Sequence, residues 1–228
     1  MRPTALITGA SRGVGAAIAR ALASDYDLFL GGRDGTALDA LCAELPAARP
    51  WAVELTELTP ADVEGIERLD VLVHSAGVAS VGPLADTPAR EWRRLMEVNV
   101  IAVAELTRLL LPALRAARGH VVLINSGAGQ RANPNWGAYA ASKFALRAFG
   151  DTLREEEHAN GVRVTAIFPG RVDTDMQRAI RAQEGGPYEP GRYLEPESVA
   201  RAVLAAVTAT PDAHVTEITV RPAGGPTR

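Results

Sequence analysis

Short runs of consecutive apolar residues alternate along this chain with longer stretches whose apolar positions recur at helical spacing. The short runs are TALIT (4–8), YDLFL (26–30), LDVLV (69–73), HVVLIN (120–125), VRVTAIF (162–168) and VTEITV (215–220), and their β-branched and aliphatic content predicts strands. Adjacent rather than alternate positions are apolar, as expected of a parallel sheet covered by helices on both faces. Thr59–Pro60, Thr87–Pro88 and Glu195–Pro196 each put a cap ahead of a proline suited to the first helical turn. They predict helices over about 60–67, about 88–112, where Pro112 ends the pattern, and about 196–208. AAIARALAS and GAYAASKFALRAFGDTLREEE read as helix as well. QEGGPYEPGRYLE (183–195), rich in glycine and proline, reads as irregular; a lid over about 175–195 is the expectation, with a polar tail, PAGGPTR, at the end. Nothing in the pattern marks a second domain, so 1–228 reads as one.

Composition narrows the function. With 228 residues, 47% of them hydrophobic, the chain can bury a substantial core. A net charge of −3, with arginines interleaved among carboxylates, offers no basic field for nucleic acid or an anionic membrane, so a small-molecule partner is expected. One cysteine, Cys42, cannot form an internal disulfide, and His74, His120, His158 and His214 show no ligand spacing, so no metal is expected. No apolar segment approaches the ~18 residues of a membrane span, and the N-terminus lacks a targeting pattern. The expectation is a cytoplasmic protein.

The first strand runs into TGASRGVG (8–15), and a helical pattern follows. Strand, glycine turn and helix start together present unpaired backbone N–H groups and a positive dipole end to a phosphate. Gly9 suits the tight turn; Gly13 and Gly15 remove Cβ atoms where a pyrophosphate or a neighbouring strand comes close.

The spacing T-G-x-x-x-G-x-G, with four further motifs in order, resembles the classical short-chain dehydrogenase/reductase family. The match covers nearly the whole chain: Thr8, Gly9, Gly13 and Gly15; HSAG (74–77); Asn99; Ser126 with Tyr139-x-x-x-Lys143; and PGRVDT (169–174). The resemblance implies an α/β fold, a single-domain Rossmann architecture with a doubly wound, mostly parallel seven-stranded sheet and helices on both faces. It implies a dinucleotide held by Thr8, Gly9, Ser11, Arg12, Gly13, Val14, Gly15, Arg33, Glu54, Leu55, Ser75, Ala76, Gly77, Tyr139, Lys143, Pro169, Gly170, Val172 and Thr174. Two positions depart from the pattern: His74 stands where the family has asparagine, and Glu54 where it has an aspartate that reaches the adenine. A homo-oligomer, dimer or tetramer, packed through the long helices is also implied.

At the end of the second strand, LFLGGRDG puts Gly32 where a ribose-binding carboxylate belongs, with Arg33 next and Arg12 in the glycine loop. Two guanidiniums and no carboxylate there favour NADP(H), with NAD(H) still possible. Asp34 has three open readings: it orients Arg33, caps the next helix, or binds a ribose.

Lys143 is the only lysine among 24 basic side chains. It lies one turn beyond Tyr139, so ammonium and phenol share a helix face. A fixed positive charge nearby lowers a phenol's pKa from its usual ~10. A compact ammonium can hold a ribose hydroxyl at the same time, which a broad guanidinium does less well. The catalytic set implied is Ser126, Tyr139, Lys143 and Asn99, the last holding a water that joins Lys143 to solvent. The expected reaction is hydride transfer between a carbonyl and an alcohol, with Tyr139 as general acid/base and Ser126 polarising the substrate oxygen. Ala128, Trp136, Arg171, Met176, Tyr188 and Tyr193 are the expected substrate walls, with a solvated Arg171 as the default. The alternative is a catalytically silent NADP-binding regulator of the same fold.

Overall fold

Seven strands lie side by side in the order β3-β2-β1-β4-β5-β6-β7 in a computed structural model that describes residues 2–224. They are β1 (Thr4–Ile7), β2 (Asp27–Gly32), β3 (Ala48–Ala52), β4 (Val71–His74), β5 (His120–Ile124), β6 (Arg163–Pro169) and β7 (Glu217–Val220). Every neighbouring pair is parallel, so the sheet is fully rather than mostly parallel. Strand order reverses between β1 and β4, which opens a crevice at their carboxyl ends, the place where open sheets of this kind bind ligands.

The helices are α1 (Gly13–Leu22), α2 (Gly35–Glu44), α3 (Ala89–Met96), α4 (Ala102–Ala117), α5 (Gly137–Glu157), α6 (Asp175–Glu184) and α7 (Pro196–Val207). Consecutive apolar strand residues feed opposite faces, because side chains alternate along a strand. Ala5, Ile7, Val71, Val73, Val122 and Ile124 join Ile18, Leu38 and Val203 of α1, α2 and α7 in one core. Leu6, Leu72, Val121 and Leu123 join Leu106, Leu110, Leu146 and Leu153 of α4 and α5 in the other.

Several boundaries differ from the sequence expectation. β3, ARPWA, was not foreseen, because Arg49 and Pro50 break its apolar run; a proline is tolerated there because the strand is an edge. The helix expected over 60–67 is a 3-10 turn, Pro60–Val63, stopped before Gly65 at φ +79°. Pro112 does not end its helix: α4 runs on to Ala117, losing only the bond a proline cannot donate, and ends at Arg118 with φ 50°. The lid expected over 175–195 is helical in its first half, as α6, which Thr174 caps by accepting from the Gln177 N–H and Gly185 terminates at φ +68°. Only the stretch after Gly185 is irregular, with one 3-10 turn at Pro190–Arg192. Of the polar tail, residues 225–228 lie outside the described residues, as does position 1.

Two histidines are buried in this core, each against a threonine hydroxyl. His74, at the end of β4, is buried, with Nε2 2.9 Å from the Thr107 hydroxyl, whose own hydrogen goes to the Val103 carbonyl. His74 therefore donates from Nε2 and is neutral. His120 sits likewise against Thr165, with its Nδ1 buried and unpaired. Burial pulls both down to about 3 from the ordinary 6.5. The folded pKa is the lower one, so the unfolded chain binds the extra protons; stability is complete above about pH 6.5 and declines as pH falls below it. Each histidine is expected to withdraw about 2 kcal/mol by pH 5. His74→Asn should remove about half of the histidine-linked loss between pH 7 and pH 5, measured by denaturant unfolding at the two pH values.

Candidate active site

The glycine loop is shaped first by packing. A Cβ on Gly9 would sit 2.8 Å from the Ala76 Cα, and one on Gly15 2.1 Å from the Gly9 carbonyl oxygen. Gly9 and Gly13 also have φ of +65° and +56°, in the left-handed region glycine tolerates. The loop thus lies directly on the segment after β4. Thr8 fastens the two, accepting at Oγ1 from the backbone N–H groups of Ser75 and Ala76, each at 3.1 Å. Ser11, Arg12 and Val14 complete the turn into α1. Arg12 occupies the N-cap position without a side-chain capping bond, and the first turn holds no carboxylate. The start of α1 therefore brings no carboxylate of its own to its positive end, which suits a pyrophosphate.

At the end of β2 the structure chooses among the readings of Asp34: it is the N-cap of α2, accepting from the Ala37 N–H at 3.1 Å. Gly32 supplies no carboxylate, and Arg33 and Arg12 are exposed, with distant partners, Glu54 at 3.7 Å and Asp175 at 3.8 Å. Such exposed pairs contribute little and yield easily to a phosphate. Glu54 is turned onto Thr56, accepting from its N–H and hydroxyl, and the Leu55 side chain packs on the core, so only backbone and the outer carboxylate edge would be left for an adenine at these two positions. The donor set as a whole fits a phosphorylated dinucleotide.

Ser126 follows β5 and caps the 3-10 turn Gly127–Gly129, its Oγ accepting from the Ala128 N–H at 3.1 Å. That bond uses a lone pair and leaves the hydroxyl hydrogen to donate. Tyr139, in the first turn of α5, is buried, with Trp136 edge-on at 5.6 Å. Burial raises its phenol above the ordinary value, and a hydrogen bond with the Ser126 side chain opposes that rise. Lys143 Nζ lies 5.9 Å from the Tyr139 ring centre and donates to the Ile124 carbonyl at 3.0 Å. Burial lowers this ammonium to about 8, which leaves it charged at neutral pH. Serine, phenol and ammonium are therefore brought together, but the ammonium is aimed at a carbonyl rather than at the phenol oxygen, and burial works against an acidic phenol.

Asn99 sits in a π-helical turn, Glu97–Ile101, between α3 and α4. Its amide accepts from the Val78 N–H (2.9 Å) and donates to the Val78 carbonyl (2.9 Å) and the Ser142 hydroxyl (3.0 Å). The side chain thus pins the segment after β4 to α5, and both amide hydrogens are taken by protein. Sequence reasoning missed two partners in this network. Ser142 donates to the Tyr139 carbonyl, and Asn125 accepts from the Ser126 N–H at 2.8 Å while donating to the Lys143 carbonyl at 3.1 Å. The only signal for Asn125 was a polar residue closing an apolar strand next to Ser126.

On the far side, Pro169 ends β6 and Gly170 donates to the Val220 carbonyl. Val172 bridges to Leu194, and Thr174 spends its hydroxyl on capping α6 while its methyl faces Gly13. Ala128 and Trp136 pack with Tyr139 and Leu95 in one apolar cluster, and Met176 is exposed. Arg171 is not a solvated arginine: both its terminal nitrogens bind Glu184, at 2.7 and 2.6 Å, and its guanidinium lies 5.5 Å from the Trp136 ring. Tyr188 donates to Asp173 and packs on Tyr193 at 5.0 Å, so these two rings are fixed to the segment after β6.

A family model described as short chain dehydrogenase matches residues 3–185. The chain is 34% identical over 228 residues to an uncharacterized short-chain type dehydrogenase/reductase of Sinorhizobium fredii, covering 96% of this chain and 91% of that protein. It is also 34% identical over 238 residues to the glycine betaine reductase of Emericella nidulans, covering 97% of this chain but only 19% of that longer protein. Among solved structures, an alcohol dehydrogenase from the archaeon Thermococcus sibiricus complexed with 5-hydroxy-NADP matches with a TM-score of 0.88 at 28% identity, over 100% of both chains. The chain belongs to the short-chain dehydrogenase family.

Proposed function

We propose that the protein is an NADP(H)-dependent oxidoreductase that interconverts a carbonyl and an alcohol. The observation that carries this reading is the convergence of Ser126, Tyr139 and Lys143, in a chain whose α1 begins without a side-chain cap or a carboxylate in its first turn. Bound cofactor supplies the hydride in reduction, and the positive ring it presents when oxidised favours a phenolate. Ser126 donates to the substrate oxygen with the hydrogen that its bond from Ala128 leaves unused. Tyr139 gives its proton to that oxygen in reduction and takes it back from the alcohol in oxidation. Lys143, charged at neutral pH, holds a ribose hydroxyl and biases the phenol toward its anion. Asn99 acts by fixing Val78 and Ser142 around this centre. Arg171 is tied to Glu184, a carboxylate that Arg181 shares, and lies beside the Trp136 ring, so partly apolar carbonyl compounds are the expected substrate class. The exposed Ile101 and Phe144 lie on the helices through which a homo-oligomer would pack.

The test is a panel of aldehydes, ketones and alcohols followed by absorbance of the reduced nicotinamide, with the two cofactors in parallel. NADPH should outperform NADH in kcat/KM. Arg33→Asp should reverse that preference by about 10²-fold, since it both removes a phosphate partner and supplies a carboxylate for the ribose 2′-OH. An unchanged preference counts against the phosphate reading.

A further inference from the structure

We propose that Arg221, which follows β7 far from the catalytic motifs in sequence, is a positioning residue that holds the Ser126 turn in register for the reaction proposed above. The inference rests on that reading, because it concerns where Ser126 directs its hydroxyl.

The Arg221 guanidinium joins three pieces of chain. Nη1 donates to the Phe168 carbonyl at 2.6 Å and to the Val220 carbonyl at 3.2 Å, and Nη2 donates to the Gln130 side-chain oxygen at 2.8 Å. Gln130 returns a bond from Nε2 to the Thr219 hydroxyl at 3.0 Å, closing the loop onto β7. The guanidinium also lies against Gly127: a Cβ there would be 3.3 Å from Nη2 and 3.4 Å from Cζ. Gly127 is the residue next to Ser126, and Gln130 is the residue that ends the same turn.

That turn fixes the Ser126 hydroxyl. Its Oγ accepts from the Ala128 N–H, its carbonyl accepts from the Gly129 N–H at 2.9 Å, and the Gln130 and Arg131 N–H groups both return to the Gly127 carbonyl. A displacement of Gly127 or Gln130 therefore rotates the serine, and displacements near 1 Å at a reacting centre cost up to about 10²-fold in rate. Asn125 holds the backbone on the amino side of Ser126; Arg221 holds the carboxyl side. A planar fork with donors on two nitrogens can bridge a carbonyl of β6 and a side chain of the turn at once, whereas a lysine offers one point of attachment. Phe168 lies just ahead of Pro169 and Gly170, so the same clamp ties the Ser126 turn to the segment opposite it.

The experiment combines Arg221→Ala, Arg221→Lys and Ser126→Ala, alone and as the Arg221→Ala/Ser126→Ala double variant. Steady-state reduction uses the best-reduced carbonyl compound of the panel, and a difference-absorbance titration of the Tyr139 phenol, isolated by subtracting Tyr139→Phe, needs no substrate. Arg221→Ala should lower kcat about tenfold with KM for NADPH changed less than about twofold, Arg221→Lys should recover only part of the loss, and the Tyr139 titration should move upward as it does in Ser126→Ala. In the Ser126→Ala background, Arg221→Ala should then change kcat by less than about twofold, because its effect runs through the serine. An equal tenfold loss in both backgrounds, or an unmoved kcat and phenol titration in Arg221→Ala, overturns the inference alone. Full activity of Ser126→Ala overturns the catalytic reading itself. Should Arg221→Ala fail to fold, Gln130→Leu removes one bond of the clamp and carries the same double-variant comparison.

Discussion

Replacing Tyr139 with phenylalanine should lower turnover by about 10³-fold or more while leaving NADPH binding within about twofold, as expected when general acid–base assistance is lost without disturbing a binding surface. In the proposed reaction this phenol is the proton donor and acceptor, and its ring packs with Trp136, Leu95 and Ala128. Phenylalanine fills the same volume, so the packing and the cofactor cradle survive. The measurement is kcat for the preferred carbonyl compound, with cofactor affinity from quenching of protein fluorescence. A variant that retains full turnover removes Tyr139 from the chemistry.

The second large effect is expected at Lys143. Lys143→Arg keeps the positive charge, yet turnover should fall about 10²-fold or more. The ammonium is buried, held by the Ile124 carbonyl at 3.0 Å, and a Cβ on Gly77 would come within 3.9 Å of it. A guanidinium is wider, flat and less able to direct one donor at a ribose hydroxyl. Charge also enters through pH. Burial pulls Lys143 down to about 8, so in the free enzyme its positive charge fades as pH rises through that value, and kcat/KM should fade with it. In Lys143→Arg, which stays charged, that alkaline decline should be absent from a much lower profile. If arginine supports the wild-type rate, the geometry of the ammonium has no part in the reaction.

Much of this was legible in the chain because parallel strands buried on both faces leave continuous apolar runs. Leu6 and Ile7, or Val121 and Val122, serve opposite cores and so had to be apolar side by side. The edge strand β3 escaped because only Trp51 of its five residues is buried, while Arg49 and Pro50, on opposite faces, are both exposed. Pro112 misled because a proline inside a packed helix gives up one bond, while burial of Leu110, Ala113 and Leu114 keeps the helix going past it. Tyr139 and Lys143 were visible as a helical pair and Ser126 as the end of a strand. Invisible were the long-range partners that orient them: Asn125 across to Lys143, Asn99 across to Val78 and Ser142, Arg171 to Glu184, and Arg221 to Gln130. Such pairs join segments distant in sequence, and no local spacing announces them. Spacing alone also made Lys143 the main acidifier of the phenol. Burial opposes it and the ammonium is turned to Ile124, while the Ser126 bond works the other way; under the proposed function, the acidity of the phenol would also depend on the positive charge of the oxidised cofactor.

That dependence gives the most direct test of the account: a difference-absorbance titration of tyrosinate with and without saturating NADP+, in the wild type and in Tyr139→Phe. On binding the cofactor, the wild type should show one phenol titrating below the usual ~10, and Tyr139→Phe should lack that step. The account is contradicted if cofactor binding brings no phenol below that range, or if the same step persists without Tyr139.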